Sequence, residues 1–239
     1  MGAPGYVALA KLALIDPQLM KLTWDVKRQK KTYLSFPKLL SLVESCRTVE
    51  ARCRRPLQVA EFGVGRGGSA TLLAWLANRN GGTLTLFDVF GRIPSPSDKD
   101  GEQARERYQV ILSKETSEYY GNIPNLLDVI MKELTAVCRR DKIQIVQGRY
   151  EDLVKRPADG MCFDLVHIDC DWYESYRPVL AFLESHLQPG AILQSDDYSN
   201  WQGSTAAVDE AIWLKGYKRM LVDGALVIDT GIPEQRVRG

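Results

Sequence analysis

Apolar residues in this chain follow two rhythms. Short, predominantly apolar runs recur at 57–62, 83–87, 143–147, 163–168 and 191–195, and each is followed at once by a glycine or an aspartate. They read as buried strands. Between them, apolar residues return at helical spacing. Phe36, Leu39, Leu40, Leu42 and Val43 predict a helix over 37–50, and Leu72, Leu73, Trp75 and Leu76 predict another, closed by Gly81-Gly82. Charged helical sequence runs to about residue 116, and a further helix is expected over 125–139, with Asn122 as its cap and Pro124 in its first turn. Two last runs, 219–222 and 225–229, flank Asp223-Gly224, a hairpin signal.

This strand–helix alternation predicts an α/β fold: a mostly parallel seven-stranded sheet with helices on both faces. The closing hairpin adds an antiparallel strand at or near the edge. Residues 1–50 read as a helical N-terminal cap. The Pro-, Ser- and Asp-rich stretch opening 91–122 reads as a long substrate-side loop or lid. No repeat or linker interrupts the 239 residues, so one domain over 1–239 is expected.

Composition narrows the function. A net charge of +1 offers no electrostatic case for nucleic acid or a membrane surface. The basic run Lys27-Arg28-Gln29-Lys30-Lys31 is short, lacks interleaved aromatics, and reads as a solvated helix face or lid segment. Five scattered cysteines fit neither a zinc knuckle nor a disulfide framework. With no evident leader and no apolar stretch near the roughly 20 residues a bilayer requires, a soluble cytoplasmic protein is expected.

Two constellations carry chemistry. Glu61-Phe62-Gly63-Val64-Gly65-Arg66-Gly67-Gly68-Ser69 joins the first strand to a helix, where glycines permit a tight turn and close approach of a ligand. Asp88 closes the second strand, where a carboxylate can accept from ribose hydroxyls. These features indicate a nucleoside-containing cofactor, with Glu61, Gly63, Gly65, Ser69, Asp88, Gln147 and Gly148 as its expected contacts. No Gly-Lys-Ser/Thr follows, so a Walker loop is not indicated. The pattern Gly-x-Gly-x-x-Gly does fit at 63, 65 and 68, which keeps a nicotinamide cofactor open. Glu61 weighs against a pyrophosphate and suits a ligand with an amino group and a sulfonium, namely S-adenosylmethionine.

The second constellation is His167-Ile168-Asp169-Cys170-Asp171 with Ser195-Asp196-Asp197-Tyr198. Four carboxylates at the ends of neighbouring strands repel one another unless a cation lies between them, and a hard divalent ion is the simplest such cation. Helix capping by Asp171 or Asp197 is the alternative for single residues. His167 reads as a satisfied core histidine and Cys170 as a packing residue. Because open α/β sheets bind ligands at the carboxyl ends of their strands, cofactor and carboxylates are expected to share one crevice.

Glu-Phe-Gly-Val-Gly at 61–65, Phe87-Asp88-Val89-Phe90-Gly91-Arg92-Ile93-Pro94, His167-Ile168-Asp169-x-Asp171-x-Tyr173-Glu174-Ser175 and Asp196-Asp197-Tyr198 resemble the macrocin-type sugar O-methyltransferases over roughly 57–212. Those are class I, S-adenosylmethionine- and magnesium-dependent enzymes of antibiotic biosynthesis. The resemblance implies the class I Rossmann-like fold, metal ligation by Asp169, Asp196 and Asp197, and Asp171 as the general base. It also implies a small natural-product acceptor that presents a hydroxyl, most simply of a sugar. Cys170 departs from the glycine common there, and the 91–122 insertion has no clear counterpart. A homo-oligomer is expected, without nucleic-acid or membrane partners. Three rival readings are a nicotinamide-dependent oxidoreductase, for which no Tyr-x-x-x-Lys pair lies on a plausible helix, a metal-dependent hydrolase, and a non-catalytic nucleoside-binding module.

Overall fold

The structure is a computed structural model and describes residue 12 and residues 14–113, 123–155 and 160–233. Two helices open it: α1 (Pro17–Arg28), capped by Asp16, and α2 (Phe36–Arg52), capped by Ser35. The α/β alternation follows as β1 (Gln58–Phe62), α3 (Gly68–Arg79), β2 (Thr83–Asp88), α4 (Gly101–Ser113), α5 (Leu126–Leu134), β3 (Ile143–Gln147), β4 (Phe163–Ile168), α6 (Tyr173–Leu183), β5 (Leu187–Ser195), α7 (Gln202–Glu210), β6 (Tyr217–Val222) and β7 (Ala225–Pro233). The seven strands form one sheet in the order β3-β2-β1-β4-β5-β7-β6.

Strands β1 to β5 run parallel, and β7 runs antiparallel to both of its neighbours, β5 and β6. The Asp223-Gly224 turn, with φ of 51° and 89°, returns the chain so that β7 inserts between β5 and β6. Positive φ at both central residues matches the strand twist. The antiparallel strand is therefore one place in from the edge, and β6 is the edge strand.

Alternate sheet residues face opposite layers. Val59, Leu84 and Leu86 pack with Leu42 and Cys46 of α2, Leu73 and Ala77 of α3, and Ile130 of α5. Ala60, Phe62, Phe87 and Val166 pack with Tyr176, Val179 and Leu183 of α6 and Val208 of α7. A third cluster, Leu19, Val26, Leu34, Leu39, Val43 and Leu72, seats α1 and α2 on α3. Burial of these side chains at about 25 cal/mol per Å² is what holds each layer to the sheet.

Several boundaries differ from the sequence pattern. α5 spans Leu126–Leu134 rather than 125–139, because the chain from 135 turns to feed β3. Its N-cap position is Asn125, at φ 54°, and Pro124 lies in the preceding turn. Asn122, the expected cap, lies outside the described residues, as does 114–122 of the expected lid. β5 begins four residues earlier than its apolar run, because pairing with β4 carries Leu187 into the sheet across an irregularity.

Candidate active site

The sheet register builds the site. Phe87, Phe62, Ile168 and Ser195 lie on one hydrogen-bonded row across β2, β1, β4 and β5. The next residue of each strand, Asp88, Gly63, Asp169 and Asp196, therefore emerges at one level. The ladder continues past the strand ends: Gly63 N donates to Phe87 O at 3.1 Å, Asp169 N to Phe62 O at 2.8 Å and Asp196 N to Ile168 O at 2.8 Å. Strand order reverses about β1, and such a switch point opens a crevice at the carboxyl edge. A cavity of about 570 Å³ opens there. Its walls include Gly63, Gly65, Asp88, Asp169, Asp171, Asp196 and Asp197, so both constellations share it.

They also touch. Gly63 has φ 86°, and a Cβ there would lie 1.9 Å from the carbonyl oxygen of Asp169. Glycine is thus required twice at this position, by the left-handed backbone and by the close approach. Asp88 rigidifies the turn, accepting from Val64 N at 2.6 Å through Oδ2 and from Phe90 N at 2.7 Å through Oδ1. Gly68 N, at the start of α3, donates to Lys31 O at 3.1 Å. That leading amide is occupied by the chain itself, which weakens the case for a pyrophosphate at this helix end.

The remaining expected cofactor contacts sit differently. The Glu61 side chain is fully buried, and its Oε1 lies 2.8 Å from Nδ1 of His167. It is not part of the cavity wall, and it meets His167 because the two are register partners on the same sheet face. Ser69 is buried in the first turn of α3 and is not part of the cavity wall. Gln147 Nε2 donates to Val89 O at 3.1 Å and Gly148 N to Asp88 O at 3.0 Å, so both tie β3 to the end of β2. The wall is formed instead by the next residues, Arg149, Tyr150 and Glu151.

Asp169, Asp196 and Asp197 each offer a carboxylate oxygen, all within 4.8 Å of one another. Asp196 Oδ1 is buried without a hydrogen-bond partner among the described residues. An orphaned oxygen among converging carboxylates fits a hard cation. The electrostatics agree. Burial, then the charges of Asp197 and Asp196, push Asp169 well above the usual carboxylate range, and burial with Asp196 raises Asp197 to about 7. Asp196 goes the other way: burial opposes ionisation, but His167 and Lys38 hold it below its ordinary value.

Asp171 stands apart. Its backbone is left-handed at φ 59°, which turns its side chain out of line with Asp169. Its N–H donates to Asp197 Oδ2 at 3.0 Å, and its Oδ1 accepts from the Trp201 indole at 3.0 Å. Burial, then the charge of Asp197, raise its pKa well above normal. Neither Asp171 nor Asp197 caps the helix that follows it. The start of α6 is held by Asp100, whose Oδ1 accepts from Tyr173 N at 2.7 Å, and Pro94 O accepts from Trp172 Nε1 at 2.9 Å. The described part of the 91–122 segment is therefore pinned against α6. It supplies Gly91, Arg92, Ile93, Pro94 and Arg107 to the cavity.

His167 is fully buried, with Nε2 4.0 Å from Asp196 Oδ1. Burial opposes its charge, but Asp196 and Glu61 outweigh that and lift its pKa to about 10. It is a core histidine, paired through Nδ1. Cys170 packs in the apolar layer and also lines the cavity, and burial pushes its thiol up. The sequence reading missed Lys38 and Trp201. Lys38 is one helical turn before the buried Leu42, so a charge on the apolar stripe of α2 was the available signal. Trp201 carried none, because its role depends on contact with Asp171.

No helix among the described residues is long and apolar enough to cross a membrane. A comparison with curated protein sequences finds no match. Solved structures are similar in fold. The O-methyltransferase NovP aligns with a TM-score of 0.64 at 20% identity, covering 79% of this chain and 78% of its own. The calicheamicin methyltransferase CalS11 aligns at 0.59 and 18% identity, covering 88% and 92%. The O-methyltransferase TomG of Streptomyces achromogenes aligns at 0.54 and 16%, covering 95% and 96%. The sheet order and these neighbours are those of the class I methyltransferase fold. The family profile described as a methyltransferase domain matches residues 60–198, more than half of the sequence, and the chain belongs to that family.

Proposed function

We propose that the protein is an S-adenosylmethionine- and divalent-metal-dependent O-methyltransferase acting on a hydroxyl of a small natural product, most simply a sugar, as in the macrocin-type enzymes it resembles. The observation that carries this reading is the meeting of the glycine turn with four differentiated aspartates in one cavity, Gly63 against Asp169. Two relatives in fold support it. TomG was solved in complex with SAM, and a CalS11 structure is described as a TDP-rhamnose 3'-O-methyltransferase.

In this reading the turn at Gly63 and Gly65, with Asp88, holds the cofactor, whose sulfonium supplies an electrophilic methyl group. Asp169, Asp196 and Asp197 hold the cation, which supplies Lewis acidity that makes an alcohol easier to deprotonate. The rest is the work of the chain. Asp171 accepts the acceptor's proton, as a carboxylate made more basic by burial and then by the charge of Asp197. The Trp201 indole occupies Oδ1 and leaves Oδ2 for that proton. The walls from α2, the 91–97 loop and α4 exclude water and align the two substrates, which itself contributes to the rate.

Calorimetry with S-adenosylhomocysteine, with and without Mg²⁺, tests the assignment. Binding that strengthens with Mg²⁺ is expected, and absence of binding in both conditions would sink it. A nicotinamide reading would instead require binding of NAD, which the occupied amide of Gly68 disfavours.

A further inference from the structure

Lys38 is a charged residue in the wall of the cavity, and no role above uses it. It is only 5% exposed. Its main chain is tied to β5, with Gln194 Nε2 donating to Lys38 O at 3.2 Å. Its ammonium donates to the backbone carbonyl of Asp196 at 2.8 Å and to Asp196 Oδ2 at 3.1 Å. The carbonyl contact matters: it keeps the ammonium in place whatever the carboxylate engages. The ammonium is thus a fixture of the site, brought in by the N-terminal cap from 158 residues away in sequence.

The charges around it can be counted. As ligands of a cation, ionised, Asp169, Asp196 and Asp197 would carry three negative charges, and Lys38 carries one positive. The neighbouring Glu61–His167 ion pair sums to zero, and Arg107 of α4 offsets Asp171. Attraction to a bound ion grows with the product of the charges, so each unit in the cluster weighs more for a trivalent ion than for a divalent one. We infer that Lys38 is a permanent fourth member of the carboxylate cluster, a positioning residue that sets its net charge to match a divalent cation and holds Asp196 by Oδ2 so that Oδ1 is presented to the ion. The inference rests on the metal reading proposed above. It explains why Asp196 Oδ1 alone of that carboxylate lacks a hydrogen bond among the described residues, with His167 Nε2 only at 4.0 Å.

The test uses the full chain with S-adenosylhomocysteine and compares Mn²⁺ with Tb³⁺. Both are titrated by calorimetry, and Tb³⁺ also by luminescence sensitised through Trp201. In Lys38→Gln the ratio of Tb³⁺ to Mn²⁺ affinity should rise by about tenfold or more, because a positive charge has been removed beside the ion. Lys38→Arg should keep the wild-type ratio. Structural damage alone would weaken both ions together and leave the ratio unchanged. An unchanged ratio in folded Lys38→Gln overturns the inference and leaves the metal reading standing. Failure of the wild type to bind either ion removes the metal reading, and the inference with it. Should circular dichroism show Lys38→Gln unfolded, Lys38→Met, uncharged and of similar length, is titrated instead.

Discussion

The two ends of β4 carry the same residue type to opposite ends. Asp164, near the amino end, is buried, and its partners are complete. Arg55 grips it through two nitrogens, at 2.6 and 3.0 Å, and Gln58 N donates to it at 2.8 Å. Asp169, one residue past the carboxyl end, faces Asp196 and Asp197, and among the described residues no cation bonds to its carboxylate. A bidentate guanidinium closes one end as part of the fold. The other end gathers three carboxylates with Lys38 as the one ammonium bonded to them among the described residues. The same strand thus carries one carboxylate held by a guanidinium and another that, in the proposed reading, holds the cation, and only the partners differ.

That contrast can be broken from either end. The largest effect is expected from Asp171→Asn, which should lower kcat by about 10²–10⁴ while S-adenosylhomocysteine and Mn²⁺ titrations stay at wild-type values. Full activity in that variant would remove Asp171 as the base. Next, Asp169→Asn should weaken Mn²⁺ on the order of 100-fold with little change in melting temperature, read by calorimetry and thermal scans. At the opposite end the pattern should invert. Arg55→Ala should cost about 1–3 kcal/mol in urea denaturation, because it strips a buried carboxylate of its partner. Its metal affinity should not move, and a weakened Mn²⁺ titration would show that the two ends are coupled.

The smallest effect sharpens the roles inside the site. Trp201→Phe removes the hydrogen bond that lowers the Asp171 pKa. The base is active when deprotonated, so a raised pKa should shift the acid limb of the kcat/KM profile to higher pH. A rate loss of about tenfold is expected at neutral pH. A profile that kept its acid limb in place would assign that limb to another group.

Much of this was legible without coordinates. The seven apolar runs, the glycine turn and the hairpin at Asp223-Gly224 yield the sheet, because period and turn chemistry are local. Asp88, Asp169 and Asp196 were recognisable because each follows a strand directly, and parallel strands end at one edge. Contacts made across the sheet were not legible. Glu61 reads as a cofactor contact from its place beside the glycines, yet the pairing of β1 with β4 sets it against His167. Gln147 and Gly148 read as cofactor contacts, yet their hydrogen bonds run to the end of β2 and the residue after it, and the wall begins at Arg149.

By itself, then, the sequence determined the architecture and the edge where chemistry collects, since both follow from local periodicity and from where strands stop. The tertiary structure alone decided which partners each carboxylate meets. Lys38 reaches Asp196 from the N-terminal cap, Trp201 reaches Asp171 from the start of α7, and Arg55 reaches Asp164 from before β1. A carboxylate's charge state and role depend on the groups within a few ångströms of it. Those groups are brought there by packing between segments that no local pattern connects.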